Sequence, residues 1–366
     1  MSSIATIRSG SAVAYTVPTD APEGDGTFAW NATTIILVTL QAGDVKGIGY
    51  TYGHGVVAPL VRDLLKQVVI GQDACDIQRI AAKVRYEQRN YGAGGIGATA
   101  LSAIDVALWD LKARLLNVPL VTLLGRVRDA AVVYGSGGFT TYNDEQLTSQ
   151  LAGWVHQGIS MVKMKIGTHP EDDLRRVAVA RTAIGDAAQL FVDANGAYSR
   201  KQALHFAEQF ADYRVTWFEE PVSSDDLEGL RLLRDRAPAG MDIAAGEYGF
   251  SDMYLRNMLA SGAVDVLQAD ATRCGGVSGF MAASAMCQAH PLPLSAHCAP
   301  SIHMHLACAS GPLRHVEYFH DHARLESMFF DGFQAPLDGA MRPDLSRPGL
   351  GLELKESDVE SFRDDI

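Results

Sequence analysis

Ionisable side chains recur at an almost constant interval through the middle and C-terminal parts of the sequence. The intervals between them are 28, 26, 28, 23 and 27 residues. Each lies at or near the end of a short apolar segment, and each interval has the length of one strand followed by one helix. In a barrel of such units the C-terminal ends of the parallel strands meet at one rim, so residues distant in sequence share a site. The residues expected at that rim are Lys165, Asp193, Glu219, Glu247, Asp270 and His297.

Three acids on successive predicted strands form the first part of this set. Asp193, Glu219 and Glu247 would offer an all-oxygen, triply anionic cluster, which suits Mg²⁺ with water and substrate oxygens completing its coordination. A single acid at such a position equally suits the N-terminus of the following helix. Three acids at matching strand ends favour a metal site.

Two lysines alternate with apolar residues in "MVKMKI", residues 161–166. In an extended strand Lys163 and Lys165 point to the same side. Two lysines on one side can be a solvated face. Beside each other and beside a bound cation, however, each ammonium group would have a lowered pKa, and a neutral amine is a usable general base.

Asp270 and His297 end consecutive predicted strands. The carboxylate can accept the imidazole N–H and fix its tautomer, which makes the histidine a second base or acid. A histidine hydrogen-bonded within the core is the alternative. With a base on each side of a metal that binds a carboxylate, the set suits removal of the proton next to that carboxylate.

The N-terminal part of the sequence predicts a separate α+β domain. Residues 31–52 read as two β-branched strands around an "AGD" turn. Residues 58–70, 76–90 and 98–116 carry apolar residues at helical spacing. We expect this domain to end near Gly125.

From about residue 130 short apolar segments alternate with amphipathic helices, which predicts a (β/α) barrel. The eight predicted strands are "AVVYGSGG", "MVKMKI", "LFVDAN", "VTWFEE", "DIAAGE", "DVLQAD", "LPLSAH" and "HVEYF".

Composition excludes several other classes of protein. The 366 residues include 31 basic and 43 acidic side chains, a net charge of −12, which disfavours nucleic acid and anionic membranes as partners. Five cysteines without a C-x-x-C pair disfavour a disulfide framework and a structural zinc site, and they favour a reducing cytoplasm. We find neither a secretory signal nor an apolar run long enough to span a membrane.

As an ordered set, "KMK", "VDAN", "WFEEP", "AAGE", "QADATRCGGVSG" and "SAH" resemble the enolase superfamily, and specifically its mandelate racemase subgroup. The helix "ALSAIDVALWDLKARLLNVPLVTLLG" before the barrel extends the resemblance to essentially the whole chain. It implies an α/β fold with an N-terminal α+β capping domain over residues 1–125, a modified TIM barrel of (β/α)₇β type over residues 126–320, and a segment returning to the cap over residues 321–366. It also implies a homo-oligomer, commonly an octamer.

The resemblance assigns roles to the charged groups. It implies Mg²⁺ on the three acids, with Glu220 of "WFEEP" structural rather than a ligand. Lys165 would be one base, and Lys163 would contact the substrate carboxylate and lower the pKa of its neighbour. His297, paired with Asp270, would be the base on the other face.

The resemblance also implies groups that bind substrate. Asn195 matches a contact to a substrate hydroxyl, and Glu317 in "HVEYF" matches an acid that hydrogen-bonds the substrate carboxylate. "GSGGFTTY" after the first barrel strand is similar to acid-sugar dehydratases, with Ser136 and Tyr142 as candidate polar contacts.

Residues 15–30 are rich in proline, glycine and acids, and their position resembles the mobile lid of the family. We expect a lid loop in which Asp20, Glu23 and Asp25 hydrogen-bond a polyol, whereas an aryl substrate would need an apolar lid. A hairpin connection without a role in specificity is the alternative.

These features predict a hydroxy-acid dehydratase acting on a small carboxylate substrate, an acid sugar such as an aldonate or aldarate, with a 2-keto-3-deoxy acid as product. A racemase or epimerase acting through the same enediolate is the first alternative. A metal-dependent hydrolase is the second, because "HPLPLSAHCAPSIHMH" offers several histidines as zinc ligands. Those histidines are His290, His297, His303 and His305.

Overall fold

A computed structural model describes residues 5–365 of the chain. Its N-terminal part is a three-stranded antiparallel sheet packed against helices, in the order β1-β2-β3. The strands are β1 (Ile7–Gly24), β2 (Ala29–Ala42) and β3 (Val45–Tyr52). The helices are α1 (Val57–Leu64), which continues into a π-helical turn (Leu65–Val69), α2 (Ile77–Gln88), α3 (Ile96–Leu115) and the short α4 (Leu120–Leu124).

Helix α3 lies directly on β3 because both elements present small residues to each other. A Cβ atom at Gly49 would lie 2.4 Å from the carbonyl oxygen of Ala103 and the amide nitrogen of Ala107. Such an approach is possible only for glycine. Gly49 of β3 and the alanines of α3 therefore allow the cap sheet to lie close to its longest helix.

Eight parallel strands form a closed barrel, as the sequence predicts. Each pairs with the next along the chain, and the last pairs with the first. The barrel strands are β4 (Ala131–Gly137), β5 (Met161–Lys165), β6 (Gln189–Asp193), β7 (Val215–Glu219), β8 (Asp242–Ala245), β9 (Val266–Ala269), β10 (Leu294–Ala296) and β11 (Leu313–Phe319).

Seven helices connect the eight strands, which confirms the (β/α)₇β arrangement. They are α5 (Asp144–His156), α6 (Pro170–Ile184), α7 (Arg200–Ala211), α8 (Leu227–Arg236), α9 (Asp252–Ala260), α10 (Gly276–Ala289) and α11 (Pro300–Ala309). None of the helices within residues 5–365 combines the length and apolar character needed to traverse a membrane.

The inside of the barrel has an aromatic layer beneath its charged rim. Tyr134, Phe191, Trp217 and His315 pack there with ring centroids 4.8 to 6.4 Å apart. Strand alternation then places the side chain two residues later one layer higher on the same side. On β7 this puts Glu219 above Trp217, whose indole Nε1 donates to Glu219 Oε2 at 2.8 Å.

The chain after the barrel packs back onto the cap. It contains α12 (His320–Phe329), β12 (Phe330–Asp331), β13 (Ala340–Met341), β14 (Glu353–Leu354) and α13 (Glu356–Val359). Asp364 donates its amide to Ala14 O at 3.0 Å and accepts from Thr16 Oγ1 at 2.7 Å. The buried carboxylate of Asp110 joins cap and tail, because it accepts from the amides of Ile48 and Leu350 at 2.8 and 2.6 Å.

Residues 15–30 form a β-hairpin, so the interpretation of this stretch as a loop is wrong. Strand β1 runs to Gly24 and pairs with β2, with an irregular register between Pro18 and Glu23. The hairpin tip, residues 25–28, reaches the barrel rim. A Cβ atom at Gly26 would lie 2.1 Å from the carbonyl oxygen of Ala194, so only glycine fits at this contact.

Candidate active site

The two lysines of β5 point into the barrel and contact acids. Lys163 Nζ lies 2.5 Å from Glu219 Oε1 and 2.8 Å from Glu317 Oε1. Lys165 Nζ lies 2.5 Å from Asp193 Oδ2 and 3.1 Å from Asn195 Oδ1. The intervening apolar residues of β5 lie in the core on the other side of the strand. The alternation in the sequence thus delivers both ammonium groups to one place.

The protein's own groups raise the pKa of each lysine, so the lowered pKa predicted beside a bound cation stays a prediction. Burial lowers the pKa of Lys165, but the carboxylate of Asp193 outweighs burial and raises the pKa above its ordinary value. Burial likewise lowers the pKa of Lys163, yet Glu219 and Glu317 hold its pKa well above the usual range. The predicted lowering requires the positive charge of a bound cation, which would offset the carboxylates beside each ammonium group.

Asp193, Glu219 and Glu247 meet as a buried cluster with one carboxylate oxygen from each within 4.8 Å of the others. Burial and the neighbouring Asp193 raise the pKa of Glu219 to about 8. Glu247 Oε2 is buried without a hydrogen-bond partner. Three crowded carboxylates with an unpartnered oxygen fit a hard divalent cation such as Mg²⁺. Glu220 is buried outside this cluster.

Asp270 orients His297 as the sequence predicts. Asp270 Oδ2 lies 2.8 Å from His297 Nδ1, while Oδ1 accepts from the amide and hydroxyl of Thr272, each at 2.7 Å. His297 Nε2 faces Glu247 Oε2 at 3.4 Å and Glu317 Oε2 at 3.6 Å. Burial lowers the pKa of His297, but Glu247 and Glu317 outweigh burial and raise it. The imidazole is therefore suited to carry a proton on Nε2.

Glu317 lies between the lysine side and the histidine side of the site. Its Oε1 contacts Lys163, and its Oε2 accepts from the amide of Cys298 at 3.0 Å. Burial raises the pKa of Glu317, but Lys163 and His297 outweigh burial and hold it well below its usual range.

One cavity of about 510 Å³ joins these groups beneath the hairpin. Lys165 from β5 and His297, which follows β10, both line it, so two candidate bases from different parts of the barrel face the same space. The cap closes the cavity with Asp25, Phe28 and Trp30 from the hairpin and with Tyr52 from β3. Asn195 and Glu317 also line it, as expected for substrate contacts.

Five residues predicted to contact substrate do not line this cavity, namely Ser136, Tyr142, Asp20, Glu23 and Lys163. Ser136 is fully buried in the barrel wall. Tyr142 and Asp20 line a separate depression, where Asp20 Oδ2 lies 2.9 Å from His320 Nε2. Glu23 turns inward to Trp30, whose Nε1 donates to Glu23 Oε2 at 2.9 Å, rather than toward a polyol. The hairpin therefore gives the cavity aromatic side chains and a single acid.

Two of the four histidines that suggested a zinc hydrolase, His303 and His305, are buried in α11. His303 Nε2 accepts from the amide of Ala271 at 2.9 Å, and its Nδ1 donates to Cys298 O at 2.7 Å. His305 Nε2 lies 3.1 Å from Leu350 O. These contacts occupy both nitrogens of His303 and one of His305 within the fold, which leaves no zinc site of the predicted kind.

Arg273 and His322 are among the cavity-lining residues that sequence spacing missed. Arg273 Nη1 donates to the carbonyl of Glu247 at 3.1 Å. His322 stacks on Tyr52 with ring centroids 3.5 Å apart, and its Nδ1 accepts from the amide of Ala299 at 3.4 Å. Burial lowers the pKa of His322 to about 3, so the imidazole is neutral and its proton is on Nε2. His322 lies in α12, after the last barrel strand. The spacing of strand ends, which located the other residues, therefore does not predict it.

Comparison with known proteins identifies the family. The sequence profile described as "Enolase C-terminal domain-like" matches residues 146–358, and the profile "Mandelate racemase / muconate lactonizing enzyme, N-terminal domain" matches residues 15–125. The chain belongs to the mandelate racemase subgroup of the enolase superfamily. The resemblance drawn from the motifs is thereby confirmed, and this subgroup member is an enzyme with the lyase chemistry of the superfamily.

Relatives of this enolase superfamily enzyme act on acid sugars. L-talarate/galactarate dehydratase of Salmonella typhimurium is 32% identical over 88% of this chain and 81% of its own length. Its crystal structure with Mg and L-lyxarohydroxamate has a TM-score of 0.89 at 28% identity, covering 98% of this chain and 93% of that one. D-galactarolactone cycloisomerase of Agrobacterium fabrum is 29% identical over 94% of this chain and 95% of its own.

A crystal structure of higher identity belongs to a mandelate racemase/muconate lactonizing enzyme-like protein from Rubrobacter xylanophilus. It is 51% identical, with a TM-score of 0.96 over 98% of this chain and 100% of that chain. The strong agreement of the folds shows that the capping domain and barrel of this enolase superfamily enzyme are arranged as in a solved relative.

Asp193→Asn is expected to raise the dissociation constant of Mg²⁺ by at least ~100-fold, since loss of an outer-shell partner alone costs about 10–100-fold. The substitution removes one of three clustered charges and the partner of Lys165. Isothermal titration calorimetry measures the change. Asp186→Asn is the matched control, because Asp186 is exposed and pairs with Arg214. Equal affinity in the two variants would remove Asp193 from the ligand set.

Proposed function

We propose that this enzyme dehydrates an acid sugar, an aldonate or aldarate, to a 2-keto-3-deoxy acid. The observation that carries the proposal is the cavity lined by Lys165, His297 and Glu247, the last of which belongs to the three-carboxylate cluster. The acid-sugar dehydratases among its relatives support the same reaction.

The residues divide the reaction between the two sides of the cavity. Lys165 Nζ takes the proton next to the substrate carboxylate, and His297 Nε2 gives a proton to the leaving β-hydroxyl, which departs as water. The raised pKa of His297 suits this role as an acid. Glu317, with Lys163 beside it, hydrogen-bonds the substrate carboxylate in its protonated form, which the arriving negative charge favours, and Asn195 contacts a hydroxyl. The resulting enol then becomes the 2-keto acid by taking a proton at C3 and losing the proton of its C2 hydroxyl.

The carboxylates of Asp193, Glu219 and Glu247 would hold Mg²⁺. When bound there, the ion supplies positive charge that stabilises the enediolate and offsets the effect of Asp193 on the pKa of Lys165. The protein's own part is to hold three acids together at the rim and to keep the ammonium groups beside them.

Racemisation or epimerisation is the second candidate, because two bases line one cavity. A proton removed by one base and returned by the other inverts the carbon without losing a hydroxyl. A library of acid sugars incubated in D₂O with Mg²⁺ separates the two reactions when deuterium uptake and 2-keto acid are followed together. Formation of keto acid supports dehydration. Deuterium exchange without keto acid would overturn it in favour of the second candidate.

A homo-oligomer and a cytoplasmic setting are part of the same proposal. All five cysteines are free, four of them buried, which suits a reducing compartment. Light scattering on the purified enzyme measures the assembly directly, with an octamer as the expected mass from the subgroup resemblance.

His322→Phe is expected to raise KM for the preferred sugar about fivefold with a smaller change in kcat, because it removes one hydrogen bond of ~1 kcal/mol to a substrate hydroxyl. Phenylalanine retains the stacking on Tyr52. His322→Gln, which keeps an N–H donor, is the matched control and should remain closer to the original enzyme. Steady-state kinetics measure KM and kcat of both variants. An unchanged KM in His322→Phe would show that the imidazole does not bind substrate.

A further inference from the structure

A second group of potential metal ligands lies outside the catalytic cavity. Asp20, Glu23 and His320 bring one ligand atom each to within 4.8 Å of the others. Asp20 and Glu23 belong to β1 of the hairpin, whereas His320 begins α12 on the barrel side. Asp20 and His320 also line an open depression of about 490 Å³. The group therefore bridges the cap and the barrel beside a space that water and ions can reach.

One acid of this group has an unsatisfied oxygen. Glu23 is fully buried, and although its Oε2 accepts from Trp30 Nε1, its Oε1 has no hydrogen-bond partner. A buried polar atom without a partner is rare in a folded protein and costs free energy unless something occupies the position. The position beside Glu23 is next to the ligand atoms of Asp20 and His320.

A further acidic residue next to this group would also be stabilised by a bound cation. Asp321 is fully buried next to the group, and its Oδ2 has no hydrogen-bond partner either. Arg324 contacts only the other oxygen, Asp321 Oδ1, at 2.5 Å. The carboxyl groups of Asp20, Glu23 and Asp321 are thus gathered near the single guanidinium of Arg324, and a bound cation would balance them.

We propose that Asp20, Glu23 and His320 form a binding site for a divalent transition-metal ion of the Zn²⁺ class. An imidazole with two carboxylates suits zinc or a similar borderline ion, whereas the all-oxygen cluster at the barrel rim suits Mg²⁺. The open depression leaves room for water as a further ligand. His320 Nε2 and Asp20 Oδ2 now lie 2.9 Å apart as a hydrogen bond, and the ion would take the place of the shared proton.

An ion at this site would fasten the hairpin to the barrel. Trp30 connects the two sites, because it hydrogen-bonds Glu23 and also lines the catalytic cavity. The ion would contact no reacting atom. Its effect would be to slow the opening of residues 25–28, the tip that covers the substrate, since metal binding stabilises the state that holds the ligands together.

The test is a Zn²⁺ titration of the full chain by calorimetry in saturating Mg²⁺. The original protein is expected to bind one Zn²⁺ at this site, and His320→Gln and Asp20→Asn are expected to weaken that binding at least tenfold. His290→Gln, an exposed histidine elsewhere on the surface, is the matched control and should bind as the original does. Absence of saturable binding, or equal binding in all variants, overturns the proposal.

Two further variants separate this site from the other candidate clusters among residues 5–365, which are Asp193–Glu219–Glu247 and His297–Cys298–Glu317. Asp193→Asn and His297→Asn should leave the binding of Zn²⁺ at the proposed site intact. Loss of that binding in either variant would place the ion in the catalytic cavity and overturn the proposal. Hydrogen exchange supplies a second readout. Zn²⁺ should slow exchange at residues 25–28 in the original protein and not in His320→Gln; equal exchange in the two would refute the fastening of the hairpin.

Discussion

His297→Asn is expected to lower turnover of the preferred acid sugar by about 10²–10⁴-fold, the range that a positioned acid or base contributes. Asparagine is polar and similar in width, so it can still meet Asp270, but it cannot donate a proton to a leaving hydroxyl. Because His297 is outside the three-acid cluster, Mg²⁺ affinity should be retained. Steady-state kinetics and calorimetry on the same preparation measure both quantities.

Asp270→Asn provides the comparison that identifies the role of the histidine. The substitution leaves the imidazole in the cavity but removes the charge that holds its Nδ1 proton at 2.8 Å. Turnover should fall, and the pH at which the alkaline limb of the rate profile bends should move down, because His297 must be protonated to act as the acid and the Asp270 carboxylate supports its raised pKa. Normal turnover in His297→Asn would exclude His297 from the reaction.

The positions of the candidate catalytic groups were predictable because they depend on two simple periods. Alternation along β5 sends Lys163 and Lys165 to one side, and one strand-helix unit per step brings strand ends to one rim. Neither inference needs knowledge of side-chain packing. The eight strands and the meeting of Lys165 with His297 follow from them.

The hairpin was not predictable from composition. Pro18 and Pro22 suggested an irregular loop, yet β1 is the edge strand of its sheet, where proline costs no ladder hydrogen bond. In the extended strand Glu23 pairs with Trp30 and accepts a hydrogen bond from its indole. The carboxylate of Asp20 is held by His320. The predicted polyol contacts at these positions therefore do not form.

The pKa values of the lysines and the role of His322 required three-dimensional contacts. The sign of the lysine shift depends on the carboxylates that lie within 2.5 to 2.8 Å of each ammonium nitrogen. His322 enters the cavity from a helix after the barrel, held by Tyr52 of the cap. Contacts between domains leave no periodic mark in a sequence.

Lys165→Met is expected to reduce exchange of the substrate α-proton with solvent by about 10²–10⁴-fold on the face that Lys165 serves. Methionine has similar length and no charge, so the substitution removes the base without opening a large gap. For a substrate of the opposite configuration, whose proton faces His297, exchange should continue. Proton NMR in D₂O follows both substrates. Continued exchange on the Lys165 face would transfer the role to another group.

The same variant should bind Mg²⁺ at least as tightly as the original enzyme, opposite in direction to Asp193→Asn. The ammonium of Lys165 lies 2.5 Å from Asp193 Oδ2 and competes with any cation for that oxygen. Removing the ammonium group frees the Asp193 carboxylate for the ion and leaves all three proposed ligands in place. Weaker binding of Mg²⁺ in Lys165→Met would show instead that the lysine holds Asp193 in the cluster, and a loss of exchange would then report damage to the metal site rather than the absence of a base.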